Sequence, residues 1–171
     1  PAEHTGFWHN LSARFEVAPH TVAEGGRERF HSVKNGLAAL KRDPELIAVQ
    51  DGVRPLWSQE LIRRTVAAAA EHGTAIPVVE PVDSFRETDG AASQIIDRRR
   101  LRIVQTPQVF RLSLYKEALC LAKNAGKQYT DDCQLIEAAG GKVYLTPGDY
   151  KNIKITTPED LLVAEAFAAE K

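Results

Sequence analysis

Four places in the chain put anion-compatible groups where side chains reach a ligand. Lys154 lies in Asn152-Ile153-Lys154-Ile155-Thr156, directly ahead of Thr157-Pro158-Glu159-Asp160. Ile153 and Ile155 alternate with Asn152, Lys154 and Thr156, which predicts a short strand with one polar face. Thr157 suits an N-cap, Pro158 the first helical position, and Glu159 and Asp160 the positive end of a helix dipole. A lysine at such a strand-to-helix junction is a natural phosphate holder. Gly25-Gly26 precedes a helix whose first turns carry Arg29 and Ser32. Glycines let backbone approach a phosphate, and free N–H groups at a helix start bind anions. Asp51 follows a strand and suits a divalent metal or a ribose hydroxyl. Thr130 caps a further helix. Each also has a plain structural reading: a solvated lysine on an edge strand, a glycine turn, a loop cap and a helix cap. Taken jointly on one edge of an α/β sheet, they point to a phosphate-containing ligand.

The elements that must position these groups follow a recognisable rhythm. Phe30, Val33, Leu37 and Leu40 give the helix after the Gly-Gly turn an apolar stripe. Leu46-Ile47-Ala48-Val49 reads as a buried strand ending at Gln50-Asp51-Gly52. Ser58 caps a helix carrying Leu61, Ile62 and Val66, which stops near Gly73, and Thr74 to Val79 is the next strand. This βαβ order predicts a mostly parallel, Rossmann-like sheet covered by helices. The rhythm breaks from Glu80 to Arg102, a polar stretch with Pro81, Gly90 and the extended piece Gln94-Ile95-Ile96. About twenty residues without a long helix are unusual inside a compact domain and suggest a hairpin arm, a lid or an interface element. Later come a helix from about Ser113 to Lys123, ended by Gly126, and a helix begun by Thr130-Asp131-Asp132. A strand from Lys142 to Thr146 and a last helix from Pro158 to about Ala169 complete the chain.

The bulk numbers bound the possibilities. At 171 residues the chain fits a single domain, and 43% hydrophobic content is enough for a real core. A net charge of −1 argues against a nucleic-acid-binding tail, so any anion site must be local. The run Arg98-Arg99-Arg100 with Arg102 reads, on charge alone, as a solvated face. No apolar run reaches the roughly 18 residues of a membrane span, and no signal-peptide pattern occurs. The two cysteines and five histidines show no metal-ligand or disulfide spacing, which fits a reducing compartment. The chain has no methionine, so residue 1 is not expected to be a translation start.

Over roughly residues 24 to 168 the chain resembles the 2-C-methyl-D-erythritol 4-phosphate cytidylyltransferase family. The resemblance is carried by E-G-G-R-E-R-F-H-S-V at Glu24–Val33, Q-D-G-V-R-P at Gln50–Pro55 and P-V-D-S at Pro81–Ser84. It continues with Q-T-P-Q-V-F at Gln105–Phe110, T-D-D at Thr130–Asp132 and N-I-K-I-T-T-P-E-D-L at Asn152–Leu161. Their order and spacing fit as well. The ribitol 5-phosphate cytidylyltransferases share several of these motifs, and the region around Thr130-Asp131-Asp132 looks more like the erythritol enzyme.

The resemblance implies an α/β fold of the nucleotide-diphosphosugar transferase type with a protruding dimerisation arm over residues 80–102. It implies cytidylyl transfer from CTP to methylerythritol phosphate, with Mg²⁺ as cofactor, in a cytoplasmic homodimer that engages neither nucleic acid nor membrane. Gly26, Arg29, Ser32 and Gly52 match nucleotide-side positions. Asp51, Arg54, Ser84, Thr106 and Thr130 match positions lining the sugar-phosphate site, with Asp51 a possible metal ligand. Arg98 and Lys154 match the pair that grips the attacking phosphate, Arg98 reaching across to the partner's site. Gly52-Val53 stands where many relatives carry two alanines, and Ser84 where threonine is also common. The family also begins with a strand, a glycine-rich loop and a Pro-Lys-Gln segment, which have no counterpart between Pro1 and Val22. The expectation is therefore a single domain lacking its N-terminal βα unit, with poor activity by itself. Two rivals stay open: a ribitol 5-phosphate cytidylyltransferase, and a non-catalytic dimeric binding module of the same fold.

Overall fold

The computed structural model describes residues 1–125, 129 and 131–170, without the side chains of 123–125. The elements run α1 (Thr5–Arg14), α2 (Arg29–Ala38), β1 (Leu46–Val49), α3 (Gln59–His72), β2 (Thr74–Val79), β3 (Phe85–Asp89) and β4 (Ala92–Ile96). They continue with β5 (Ile103–Val104), β6 (Gln108–Arg111), α4 (Leu112–Ala125), α5 (Asp132–Ala138), β7 (Leu145–Pro147) and α6 (Pro158–Ala169).

Local chemistry explains most boundaries. Ser58 Oγ accepts from Leu61 N at 3.1 Å and starts α3, and the helix stops at Gly73. Its buried stripe is Leu61, Thr65 and Ala69, not the expected Leu61, Ile62 and Val66. The helix turns its small residues to the sheet, where Ala69 packs with Ala75 and Val109. Thr65 is tolerated there because its hydroxyl donates to Leu61 O at 2.7 Å. At α6, Thr157 and Asp160 form a reciprocal capping box with Pro158 in the first turn, as the sequence predicts. The helix near Thr130 is capped by Asp131, whose Oδ1 accepts from Cys133 N at 2.6 Å. Thr130 itself lies outside the described residues.

The α/β architecture is as expected, but the sheet is not mostly parallel. β6 pairs antiparallel with both β1 and β2, and β5 pairs antiparallel with β2; β2 and β7 are parallel. The βαβ rhythm did set one direction, because β1, β2 and β7 all point the same way. What it hid is the reversal after the arm, which slots β6 between β1 and β2 in the opposite sense. The loops after β1, β2 and β7, and the residues entering β6, therefore all meet at one edge of the sheet.

The segment carrying Lys154 is a second correction. Residues 152–156 form no strand. Among the described residues the backbone there makes a single cross-segment bond, Ile155 N to Val53 O at 2.9 Å, too few for a ladder. Asn152, expected on a polar outer face, is fully buried.

The core joins Phe110 and Leu112 to Tyr115, Ala118, Leu135 and Ile136 of the α4–α5 layer. The 80–102 stretch is a hairpin of five cross-strand pairs, Phe85↔Ile96 to Asp89↔Ala92, exposed along nearly its whole length. The sequence did not predict α1, which buries no residue. Among the described residues no helix is long and apolar enough to cross a membrane.

Candidate active site

Asp51 lies two residues past β1, at the edge where the loops converge. Its backbone N donates to Thr106 Oγ1 at 3.0 Å, joining the end of β1 to the entry of β6. Arg54 Nε donates to Asp51 Oδ2 at 3.4 Å, and Lys154 Nζ stands 3.3 Å from the same oxygen. One carboxylate against two cations leaves a local positive excess in an otherwise near-neutral chain. That charge suits a phosphate.

The two cations differ in how they are held. Arg54 is 10% exposed, and its guanidinium also donates to Asn152 O at 2.7 Å and Val104 O at 3.4 Å. It ties its own loop to the Asn152 segment and to the end of β5. Lys154 is 48% exposed with Asp51 as its one described ion-pair partner. It is the cation with freedom to turn toward an incoming anion.

Three buried amides hold this edge, and sequence reasoning assigned none of them a role. Asn152 Nδ2 donates to Thr106 O at 2.8 Å. Gln105 Nε2 donates to Asp149 O at 2.8 Å, while its Oε1 accepts from Asp149 N at 3.1 Å. Gln108 Nε2 donates to Asp131 Oδ2 at 3.1 Å. The Thr106–Pro107 peptide between these glutamines is cis. Gly148 allows the close approach: a Cβ there would lie 2.8 Å from Val78 O and 2.6 Å from Gln105 Oε1. The signal available in sequence was an amide on each side of Thr106-Pro107 and another beside Lys154, polar residues where strands enter and leave a sheet.

Asn152→Ala should therefore destabilise the fold by about 2 kcal/mol, because it strips partners from the buried Thr106 carbonyl and the Gln105 amide. Urea unfolding measures this. A change below about 0.5 kcal/mol, the range of inert surface substitutions, would show that the clamp carries no weight.

The other expected positions fall into separate groups. Ser84 and Arg98 sit at the base of the hairpin, exposed, with Arg98 donating to Val82 O. Arg98 and Val82 line a cleft of about 330 Å³ with Glu80, Pro81, Arg99 and Tyr150. No described hydrogen bond or ion pair joins Ser84 or Arg98 to Asp51 or Lys154 within the chain. Tyr150, whose hydroxyl donates to Glu80 O at 2.8 Å, ties the hairpin base to the Lys154 segment. Gly26 and Ser32 meet through Gly26 N to Ser32 Oγ at 3.1 Å, and Arg29 is paired with Asp132 at 2.6 Å. At Gly52 a Cβ would meet open space, so alanine in its place costs no clash. Among the described residues no three His, Cys, Asp or Glu side chains gather to hold a metal.

Comparison with known proteins fits this arrangement. The family model described as IspD, 2-C-methyl-D-erythritol 4-phosphate cytidylyltransferase, matches residues 4–170. The chain belongs to the 2-C-methyl-D-erythritol 4-phosphate cytidylyltransferase family. Its relative from Geobacillus kaustophilus is 46% identical over 173 residues, spanning 100% of this chain and 75% of that protein. The relative from Bacteroides thetaiotaomicron is 44% identical over 98% of this chain and 75% of its own length. The crystal structure of the Thermus thermophilus family member superposes with a TM-score of 0.80 at 35% identity, covering 90% of this chain and 78% of that one. The Anaerococcus prevotii structure, a 4-diphosphocytidyl-2C-methyl-D-erythritol synthase, gives 0.85 at 29% identity, covering 96% of this chain and 78% of that one. The chain shares the α/β nucleotidyltransferase fold of these structures.

Proposed function

We propose that this protein transfers a cytidylyl group from CTP to 2-C-methyl-D-erythritol 4-phosphate, giving 4-diphosphocytidyl-2-C-methylerythritol and pyrophosphate. The observation that carries the reading is the Asp51–Arg54–Lys154 cluster beside Thr106, in a chain matched by that family over nearly all its length. A phosphate oxygen of the acceptor forms a bond to the α-phosphorus of CTP as the α–β phosphoanhydride breaks and pyrophosphate leaves. No covalent intermediate on the protein is needed, so catalysis rests on positioning and on charge stabilisation. Lys154 holds the attacking phosphate. Asp51 orients Lys154 in the resting site and offers its carboxylate to the acceptor's hydroxyls. Thr106 fixes the Asp51 backbone. Arg54 keeps its own loop, the Asn152 segment and β5 in register.

A divalent cation fits this edge only with most of its oxygens supplied by substrate phosphates, because Asp51 is the one carboxylate of the cluster. Mg²⁺ bound that way would neutralise charge developing on the triphosphate. The remaining triphosphate cations are assigned to a glycine-rich loop and lysine that these 171 residues do not contain, so the stretch by itself should turn over poorly. The hairpin supports a homodimer. A two-stranded hairpin is marginal alone in water, and Val82, Phe85 and Ile95 are exposed on it or at its base. Arg98 at its base would then complete the partner's phosphate grip.

A product assay tests the reading. The chain, with any segment encoded upstream of Pro1, is incubated with CTP, Mg²⁺ and either methylerythritol phosphate or ribitol 5-phosphate. Pyrophosphate and the CDP-alcohol are then quantified by mass. Methylerythritol product in clear excess is expected. Excess ribitol product would move the chain to the sister activity, and CTP binding with neither product would leave a binding module.

A further inference from the structure

The buried acid of α5 has no part in the chemistry above. Asp132 is 4% exposed. Its Oδ1 accepts the hydroxyl of Tyr115 from α4, and its Oδ2 faces Arg29 Nη2 of α2 at 2.6 Å. A carboxylate taken out of water persists only where its partners offset the desolvation. Burial would lower the Arg29 pKa, but its pairing with Asp132, joined by the charges of Asp51 and Tyr115, turns the net direction upward. Burial, then Asp132, pushes the Tyr115 phenol upward, so it remains a donor.

α2 has little other grip on the molecule. None of its residues is fully buried, and it reaches the core through the half-buried Phe30, Val33 and Leu37. Arg29 is its first residue, so the ion pair pins the N-terminal end of the helix, the end whose free N–H groups suit an anion. That end is folded tightly onto the glycine turn. Gly26 N donates to Ser32 Oγ, Ser32 Oγ donates to Glu28 O at 3.3 Å, and Asn35 Nδ2 donates to Glu24 O at 2.9 Å. A Cβ on Gly26 would stand 2.2 Å from His31 Cβ, so the turn packs directly against the first turns of the helix. On the other side, Asp131 receives Gln108, two residues after Thr106. The two halves of the site thus share α5 as a common support.

We propose that Asp132 is a positioning residue for nucleotide recognition: through Arg29 it fixes the Gly25–Gly26 turn and Ser32, and Tyr115 fixes Asp132 in turn. The inference rests on the cytidylyltransferase reading. It gives Arg29 a different job from direct nucleotide contact, since its guanidinium is engaged by the protein.

The test compares Asp132→Asn, Asp132→Glu and Arg29→Lys with the parent chain, including any segment encoded upstream of Pro1. Three quantities are measured: the Kd of CTP by calorimetry, KM for each substrate, and hydrogen exchange over residues 25–33. Asp132→Asn should raise the Kd and KM of CTP by about tenfold, the scale of one lost charge-assisted contact, with KM for the sugar phosphate within about twofold. Exchange should quicken across 25–33 and stay unchanged in β1 and β2. Asp132→Glu, which keeps the charge, should recover most of the CTP affinity. Equal losses on both substrates, unchanged CTP affinity, or unchanged exchange at 25–33 would overturn the proposal. Failure of the unsubstituted protein to bind CTP or form product strikes the cytidylyltransferase reading instead. The exchange comparison still decides the structural link in that case.

Discussion

Replacing Lys154 by alanine should cut turnover at least ~10²-fold while leaving the fold intact, the scale expected for one preorganised electrostatic contact to a developing charge. The position argues for both halves of that statement. Lys154 is half exposed, and its described ion pair is to Asp51 alone, so removing it opens no cavity. Arg54 still faces Asp51 at 3.4 Å, so the carboxylate is not left without a cation. Lys154 is also the cation of the cluster free to swing onto an incoming phosphate, because Arg54 is committed to the carbonyls of Asn152 and Val104. Arginine at 154 should restore part of the activity, since it keeps the charge but changes reach and donor geometry. Steady-state kinetics with a parallel urea titration measure both quantities. Near-normal kcat with alanine would remove Lys154 from the phosphate grip. A fall in kcat matched by a loss of several kcal/mol would make it a structural residue.

Mixing two dead variants should restore activity. Arg98 lies at the hairpin base, with no described contact to the Asp51–Lys154 cluster of its own chain. If the hairpin crosses to a second subunit, each site takes Lys154 from one chain and Arg98 from the other. A heterodimer of Arg98→Ala and Lys154→Ala subunits then gathers both defects in one site and leaves the other whole. Random mixing makes half of the dimers heterodimeric with one working site each, so about a quarter of the parental activity is expected, assuming independent sites and positions that add. The readout is product formation after co-refolding or co-expression, with heterodimers counted by differential tagging. If tagged heterodimers form and turnover stays at the level of the single variants, Arg98 does not serve the partner's site.

Both predictions depend on features that were unevenly visible in the residues. The βα units around β1, α3 and β2 could be read directly, because Leu46–Val49 and Thr74–Val79 are short apolar runs and Ser58 and Gly73 bracket the helix between them. The capping box of α6 could be read for the same reason: Thr157, Pro158 and Asp160 act within one turn. The hairpin announced itself by breaking the rhythm. The direction of β6 could not be read. It depends on where the chain re-enters the sheet after residues 80–102, and no periodicity reports that. The buried amides escaped because polarity in a sequence reads as exposure. Gln105, Gln108 and Asn152 are buried only because backbone and side-chain groups from other elements arrive to receive them.

The sequence by itself determined most of the elements, the caps of α3 and α6 and the family, since these follow from residue type and local spacing. Tertiary structure decided which groups meet. β1, β2 and β7 deliver their following loops to one edge, and the reversed β6 brings Thr106 to that edge by its entering end. Lys154 reaches Asp51 from the far end of the chain, and its segment is held there by the buried Asn152 side chain where a strand ladder was expected. The same packing pairs Arg29 with Asp132, a contact that its place in a glycine-turn motif did not show. Contacts between residues so far apart depend on the path of the whole chain, and that path is settled by burial and hydrogen-bond satisfaction across elements.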